Sequence, residues 1–480
     1  MRKSKCKIVV IGAGVSGLTT AYRLSKDNPN DVIVIEKDSK VGGLSKTINA
    51  NNSFYDLGSH RIHFKVSKKT FKLVKEMCDK ALVKNKRGGK LRIKNSYIDY
   101  PITSIQFLFG IGLIEAFLCI ASLIKNRIYH KFVDKDFKRE GLNYESYLIS
   151  TAGHRAYKLF YEPYARKVWG CEPSRISITA VKKRISMVKP TLFLKNIIAR
   201  YTKKSRRNDY YYYFKGGIGY FSDVLERLIL NNGARIYTNV KDFSIHIDND
   251  KRNIVFFDSQ KTVNVEFEKL VSTIPIDELV LKLNPTDDIL KIVKRIRWRG
   301  LKLVYLHVIK EPRLEGETFY FPELKYIFGR VSIPKRFSKK MQPDDSFISI
   351  VCEVPCGVDD GLCNKTDKDI YDLCLEGLIK AGLLDKGAVY LSDKNFIINV
   401  PNVYPVYFKG WQEDISCLLQ YLGEEFDYIY TSGKPGFFLH CNFDHSIDIG
   451  IFLADYIKRG KLPKEWYGKI DFFQDMKLRD

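Results

Sequence analysis

Markers of several large protein classes are missing from this 480-residue chain. There is no paired C-x-x-C spacing. The ten cysteines are scattered, and the loose cluster Cys352, Cys356 and Cys363 has no histidine near it, so zinc ligation has no donor set and no metal site is expected. No recognised nucleic-acid motif is present, so no nucleic-acid partner is expected. Internal repeats and low-complexity linkers are also absent, which argues for domains that interleave rather than follow one another. Met1-Arg2-Lys3-Ser4-Lys5 leads straight into a strand, without the apolar stretch and cleavage site of a secretory leader. The expectation is a cytoplasmic chain with reduced thiols, with peripheral contact at the inner face of the cytoplasmic membrane left open.

Acidic residues are in deficit. Asp and Glu number 55 against 80 Lys and Arg, a formal charge of +25. Such a balance asks for an anionic partner or surface. Basic runs fall at residues 84–94, 203–207 and 294–302. An anionic membrane surface or a phosphorylated small-molecule substrate accounts for them more simply than DNA or RNA. The stretch that begins at Ile105 and ends at Ile124 is apolar except for Gln106, Glu115 and Ser122, and Lys125 and Arg127 follow it. It reads as a membrane span, a monotopic membrane-contacting helix or a buried helix, and a carboxylate near a bilayer centre weighs against the first.

What is present is concentrated at the start. Lys7-Ile8-Val9-Val10-Ile11 is a run of β-formers, followed by Gly12, Gly14 and Gly17 in G-x-G-x-x-G spacing and a helix through Leu24. Asp31-Val32-Ile33-Val34-Ile35 forms the next strand and ends on Glu36. Each part has a physical role in holding a dinucleotide. Gly12 makes the tight turn, Gly14 lets backbone approach a pyrophosphate, and Gly17 lets the helix pack closely on the sheet. The helix N-terminus favours the anion, and Glu36 accepts hydrogen bonds from a ribose. A second glycine pair, Gly42-Gly43, lets the backbone approach the same ligand again.

This extended fingerprint resembles that of the two-dinucleotide-binding flavoproteins of the amine oxidase and protoporphyrinogen oxidase group, which implies FAD rather than NAD. Asp56-Leu57-Gly58-Ser59-His60-Arg61-Ile62-His63 resembles the D-x-G-x-H-x-x-H segment of UDP-galactopyranose mutases. That resemblance implies Gly58, His60, Arg61 and His63 beside the flavin ring, where a His or Arg stabilises negative charge on the reduced form. Tyr161-Glu162-Pro163-Tyr164-Ala165-Arg166-Lys167-Val168-Trp169-Gly170 is similar to the mutases' Trp-Gly segment, which implies Trp169 in the substrate cleft. Arg184 falls where those enzymes begin a diphosphate-binding stretch. Their second arginine is Val188 here, with Lys189 beside it, and Arg and Lys are not equivalent at a bidentate phosphate site.

Lys215-Gly216-Gly217-Ile218-Gly219 resembles the turn that leads to the adenine-side strand, and the resemblance implies a backbone contact from Val240 to the adenine. Gly433-Lys434-Pro435-Gly436, with Asn442-Phe443-Asp444-His445-Ser446, is similar to the C-terminal flavin motif. It implies Gly433, Asp444, His445 and Ser446 on the cofactor and Lys434 in place of a phosphate-binding arginine. The implied fold is α/β, a Rossmann-type two-dinucleotide-binding FAD domain interleaved with a mixed α+β substrate domain. Its expected parts are 1–75, 210–290 and 416–480 for FAD, 76–209 for a helical substrate and membrane-contact region, and 291–415 for a substrate sheet.

Three functions follow as expectations. One is an FAD-dependent oxidoreductase acting on a sugar- or lipid-linked substrate in surface polysaccharide synthesis. Another is a redox-neutral UDP-galactopyranose mutase-like isomerase that uses reduced flavin N5 as nucleophile. The third is a non-catalytic, flavin-binding, membrane-associated scaffold. Oligomeric state and substrate identity stay open.

Overall fold

In the computed structural model the described residues are 2–100, 110–132, 142–184, 210–248, 251–357 and 360–476. Lys189 and the basic run 203–207 lie outside them, as do residues 105–109 of the apolar stretch and the side chain of Arg184.

Two seven-stranded sheets organise the molecule. At the centre of the first lies Arg2–Ile11, whose apolar half is buried on both faces. Continuous Val and Ile suit such a strand, because helices cover a parallel sheet on both sides. Ile8 and Val10 pair in parallel with Val32 and Val34 on one side, and Val9 pairs with Leu270 on the other. Arg235–Tyr237 extends the first edge, while Phe243–Asp248 and Lys251–Asp258 extend the opposite one as an antiparallel hairpin. The strand Lys261–Ser272 belongs to both regimes. Its first half alternates between buried and half-buried in the hairpin, and its last residues are buried between Arg2–Ile11 and Ile429–Thr431. The chain therefore leaves Arg2–Ile11 to opposite sides, and a crevice opens at its carboxyl end. This is the switch point where open α/β sheets take ligands.

The second sheet runs in the order Phe396–Pro405, Trp298–Val308, Ile348–Cys356, Arg330–Ser332, Thr318–Tyr320, Lys90–Ile93, Ser96–Asp99. The hairpin 90–99, which falls within the 76–209 region expected to be helical, thus forms the end of this sheet. A small sheet of Ile62–His63, Tyr210–Phe214 and Leu82–Lys86 links the two halves.

The linkage is polar at one buried point. Asp56 accepts from Thr47 Oγ1 at 2.6 Å, from Ile218 N at 3.1 Å and from the Tyr213 hydroxyl, while its own carbonyl accepts from Tyr305 Oη at 2.8 Å. Burial pushes the Asp56 carboxyl up to about 6. One side chain thereby fixes the 217–219 turn, the 47–56 hairpin and the departure of the loop 57–61.

Candidate active site

A cavity of about 1420 Å³ extends from the switch point along the face of the second sheet. Its nucleotide end is built by glycines. Gly12 has φ +92°, and a Cβ there would stand 2.5 Å from Thr273 Oγ1, which donates to Ile11 O and Gly12 O at 3.0 Å each. Gly17 is pressed against the Gly12 carbonyl, so the helix Val15–Ser25 can sit on the turn only without a side chain there. Gly14 differs, because a Cβ at this position would meet nothing within 4 Å. Its neighbourhood is open space at a helix N-terminus, where unpaired N–H groups favour an anion. Gly42 bridges to Gly14, and Gly43 closes on its Cα. Glu36 turns back on the loop and accepts from Ala13 N at 2.7 Å and Asp38 N at 3.0 Å. Val240 lines the cavity, and its own N–H is engaged by Glu36 O at 3.0 Å.

A second helix N-terminus faces the same space. Helix Phe443–Lys458 packs on helix Val15–Ser25 through Gly450, where a Cβ would lie 2.6 Å from Ser16 O and 2.8 Å from Thr19 Cβ. Gly433, with φ +76°, comes close to Ser16 on the cavity side. Ser16 Oγ is buried and meets no hydrogen-bond partner among the described residues. Asn442 begins the second helix, and His445 Nδ1 accepts from its backbone N–H at 3.3 Å, so His445 closes the helix start. Asp444 is buried in the same turn, and Ser446 lines the cavity.

Further along, the loop after Asp56 crosses the sheet face. Gly58 has φ +92° and lies against Glu353, whose carboxylate accepts from Ser59 N at 2.9 Å. Arg330 holds the same carboxylate with two contacts of 2.7 Å, a charge-assisted pair between a half-buried guanidinium and a buried carboxylate. His60 faces the cavity and donates from Nε2 to Leu57 O at 3.0 Å, which leaves Nδ1 as an acceptor. Burial, reinforced by the positive charge of Arg330, lowers the His60 pKa to about 4, so the ring is neutral near pH 7. Arg61 is clamped by Glu317 at 3.1 Å and Thr318 Oγ1 at 3.0 Å, and its guanidinium lies over the Tyr211 ring. Lys434 enters from the C-terminal turn, its ammonium 5.3 Å from the Tyr404 ring centroid.

The structure separates some residues that the motifs grouped. His63 stands in the strand paired with Tyr211, is buried, stacks on Phe64 and accepts from Lys65 N. It does not line the cavity. Trp169 likewise packs in the core against Tyr144 and Tyr164, and Phe160, Tyr161 and Tyr164 face the cavity instead. Helical geometry explains this: Phe160 and Tyr164 are four residues apart and share a face, whereas Trp169 is five further on and points elsewhere. Lys167 supports this region from below. Its ammonium is buried and donates to the carbonyls of Phe321 and Phe328 at 2.7 and 3.1 Å, and burial lowers its pKa to about 7.

Arg330 and Glu353 escaped the sequence reading, as did Ser16, Tyr320 and Tyr404 on the cavity wall. A faint signal exists for Glu353, the one acid in Ile348–Cys356, a nine-residue strand buried throughout. A buried carboxylate requires a paired cation, and Arg330 supplies it.

Residues 10–77 match the family model of an NAD(P)-binding Rossmann-like domain. An uncharacterized protein in nifH2 3'region of Methanothermococcus thermolithotrophicus is 50% identical over 56 residues, 12% of this chain and 53% of that protein. The chain thus spans about half the length of this relative. Protoporphyrinogen oxidase 2, chloroplastic/mitochondrial, of Arabidopsis thaliana is 22% identical over 377 residues, covering 71% of this chain and 72% of the plant protein. Among solved structures, reduced UDP-galactopyranose mutase matches with a TM-score of 0.80 and 21% identity over 98% of both chains. Putrescine oxidase bound to putrescine matches with a TM-score of 0.59 and 13% identity, over 95% of this chain and 100% of the oxidase. The chain carries an N-terminal NAD(P)-binding Rossmann-like domain, and its fold as a whole is the one seen in UDP-galactopyranose mutase and putrescine oxidase.

Proposed function

We propose that the protein is an FAD-dependent oxidoreductase acting on a sugar- or lipid-linked substrate in surface polysaccharide synthesis, at the inner face of the cytoplasmic membrane. The observation that carries this reading is the continuity of the cavity. It runs from Glu36 and Val240, past two helix N-termini, to His60, Arg330 and Lys434. The residues fit an adenine dinucleotide with a pyrophosphate at its middle. Gly14 leaves room, Ser16 Oγ is buried without a partner among the described residues, and Glu36, at the end of its strand on the cavity wall, would meet a ribose. FAD would be held by Gly12, Gly14, Glu36, Gly42, Gly43 and Val240 at one end and by Gly433 and Ser446 at the other. Bound FAD supplies the electron-accepting ring.

The chain's own residues orient and polarise. Lys434 brings positive charge for a phosphate, Arg330 adds a guanidinium beside its ion pair with Glu353, and the rings of Tyr161, Tyr164 and Tyr320 provide flat walls suited to a sugar. His60, neutral with Nδ1 as acceptor, can take a hydrogen bond from a substrate hydroxyl.

A second reading, a redox-neutral mutase on a nucleotide-linked sugar, draws support from the same pair of cations and from the fold likeness to the mutase. One experiment separates the two. Purified holoenzyme is incubated with UDP-sugars before and after dithionite reduction. The oxidoreductase reading expects substrate-dependent bleaching of the oxidised form and recovery in air. Isomerised sugar formed by reduced enzyme alone, without net redox change, would replace it with the mutase.

A further inference from the structure

Helix Leu113–Phe132 is apolar on two faces. Its inner face buries Ala116 and Cys119 among Leu91, Ile93, Ile98 and Ala156. On its outer face Leu113, Ile114 and Phe117 are 72%, 81% and 70% exposed, and Ile124 and Ile128 continue the stripe at 52% and 53%. The spacing follows the helical period, so these side chains form one band. Single exposed apolar residues need no explanation, but a contiguous band of this kind marks an interaction surface.

Charge points to the kind of surface. The only acid of the helix, Glu115, is held by Lys94 at 2.9 Å and Arg155 at 2.5 Å, so it presents no bare negative charge. Lys125 and Arg127 are exposed beside the band, and residues 125–140 contain six Lys and Arg against three acids. The band also borders the cavity. Ile120 and Ile124 are exposed and at the same time line it, together with Cys119, Leu123 and Arg127. No helix among the described residues is long and apolar enough to cross a membrane.

We infer that the outer face of helix Leu113–Phe132 seats on an anionic phospholipid bilayer, bringing the adjoining cavity mouth to the lipid surface. Apolar side chains enter the headgroup–acyl boundary, and Lys125 and Arg127 meet the lipid phosphates. A substrate with an apolar chain could then enter along Ile120 and Ile124 without leaving the membrane. That last step rests on the proposed enzymatic function, whereas the docking holds whichever reaction the cavity carries out.

Vesicle flotation with the purified full-length protein tests the docking independently of activity. Vesicles of phosphatidylcholine alone are compared with vesicles of equal parts phosphatidylcholine and phosphatidylglycerol, at low and high salt. The protein floats with the anionic vesicles, less at high salt, and about tenfold less with neutral ones. An Ile114→Ser/Phe117→Ser variant keeps its thermal midpoint and absorption spectrum yet loses flotation by about tenfold or more. Three results would overturn the inference. Wild-type protein that stays with the non-floating fraction removes lipid as the partner. A loss of thermal stability in the double variant means that the chain's own residues cover the face. A wild-type dimer that the double variant dissolves, without vesicle binding, means that a second copy does.

Discussion

Gly14 and Gly17 stand three residues apart on one turn, and their missing side chains serve different ends. Gly17 is needed by the fold, since a Cβ there would collide with the Gly12 carbonyl. Gly14 faces open space. Gly17→Val is therefore expected to cost about 3 kcal/mol in thermal or urea unfolding. Gly14→Val should stay within about 1 kcal/mol of flavin-free wild type by the same measurement and show no bound flavin absorbance. Glu353 gives a second test at this scale. Its removal leaves the half-buried Arg330 guanidinium without the carboxylate that balances it. Glu353→Ala should lower the unfolding free energy by about 2 kcal/mol in denaturant titration. His60 adds a pH dependence. Its folded pKa, about 4, lies below the ordinary value of 6.5, so the unfolded chain takes up the proton first on acidification. The wild type should lose stability relative to His60→Gln as pH falls from 6.5 to 4, by on the order of 2 kcal/mol, seen in paired denaturation curves.

Elements decide what individual residues can reach. The helices Val15–Ser25 and Phe443–Lys458 aim their N-termini at one cavity because Gly450 lets them touch. Gly450→Leu should force them apart, costing about 2 kcal/mol and weakening flavin retention at least tenfold on dialysis, with both helices still present by circular dichroism. The same scale shows what is legible in a sequence. The strand–turn–helix at Ile8–Glu36 can be read residue by residue because its contacts are local and its glycines answer to backbone geometry. The strands at 235–237 and 429–431 and most of the helix Phe443–Lys458 are legible from their apolar runs. The orientation of His63 and Trp169 is not legible. A motif gives their spacing, but the side each faces depends on what the strand or helix packs against. Arg330 and Glu353 are harder still. They are 23 residues apart, and Glu353 meets Ser59 from 294 residues away, so no local pattern announces the pair.

At the scale of the whole molecule, the nucleotide sheet draws strands from residues 2–35, 235–272 and 429–431, with the second sheet threaded between them. Closure of the cavity thus requires most of the chain, and a ligand that bridges the early and late segments should stabilise all of it. Saturating FAD at about a thousand times its dissociation constant should add about 4 kcal/mol and raise the midpoint of a single calorimetric transition. The central claim is the identity of that ligand, and its most direct measurement is mass spectrometry of the chromophore released when the purified protein is denatured. FAD, released by wild type and missing from Gly14→Val, is the predicted result. A nicotinamide dinucleotide, FMN alone, or wild-type protein that neither retains nor takes up FAD would contradict it.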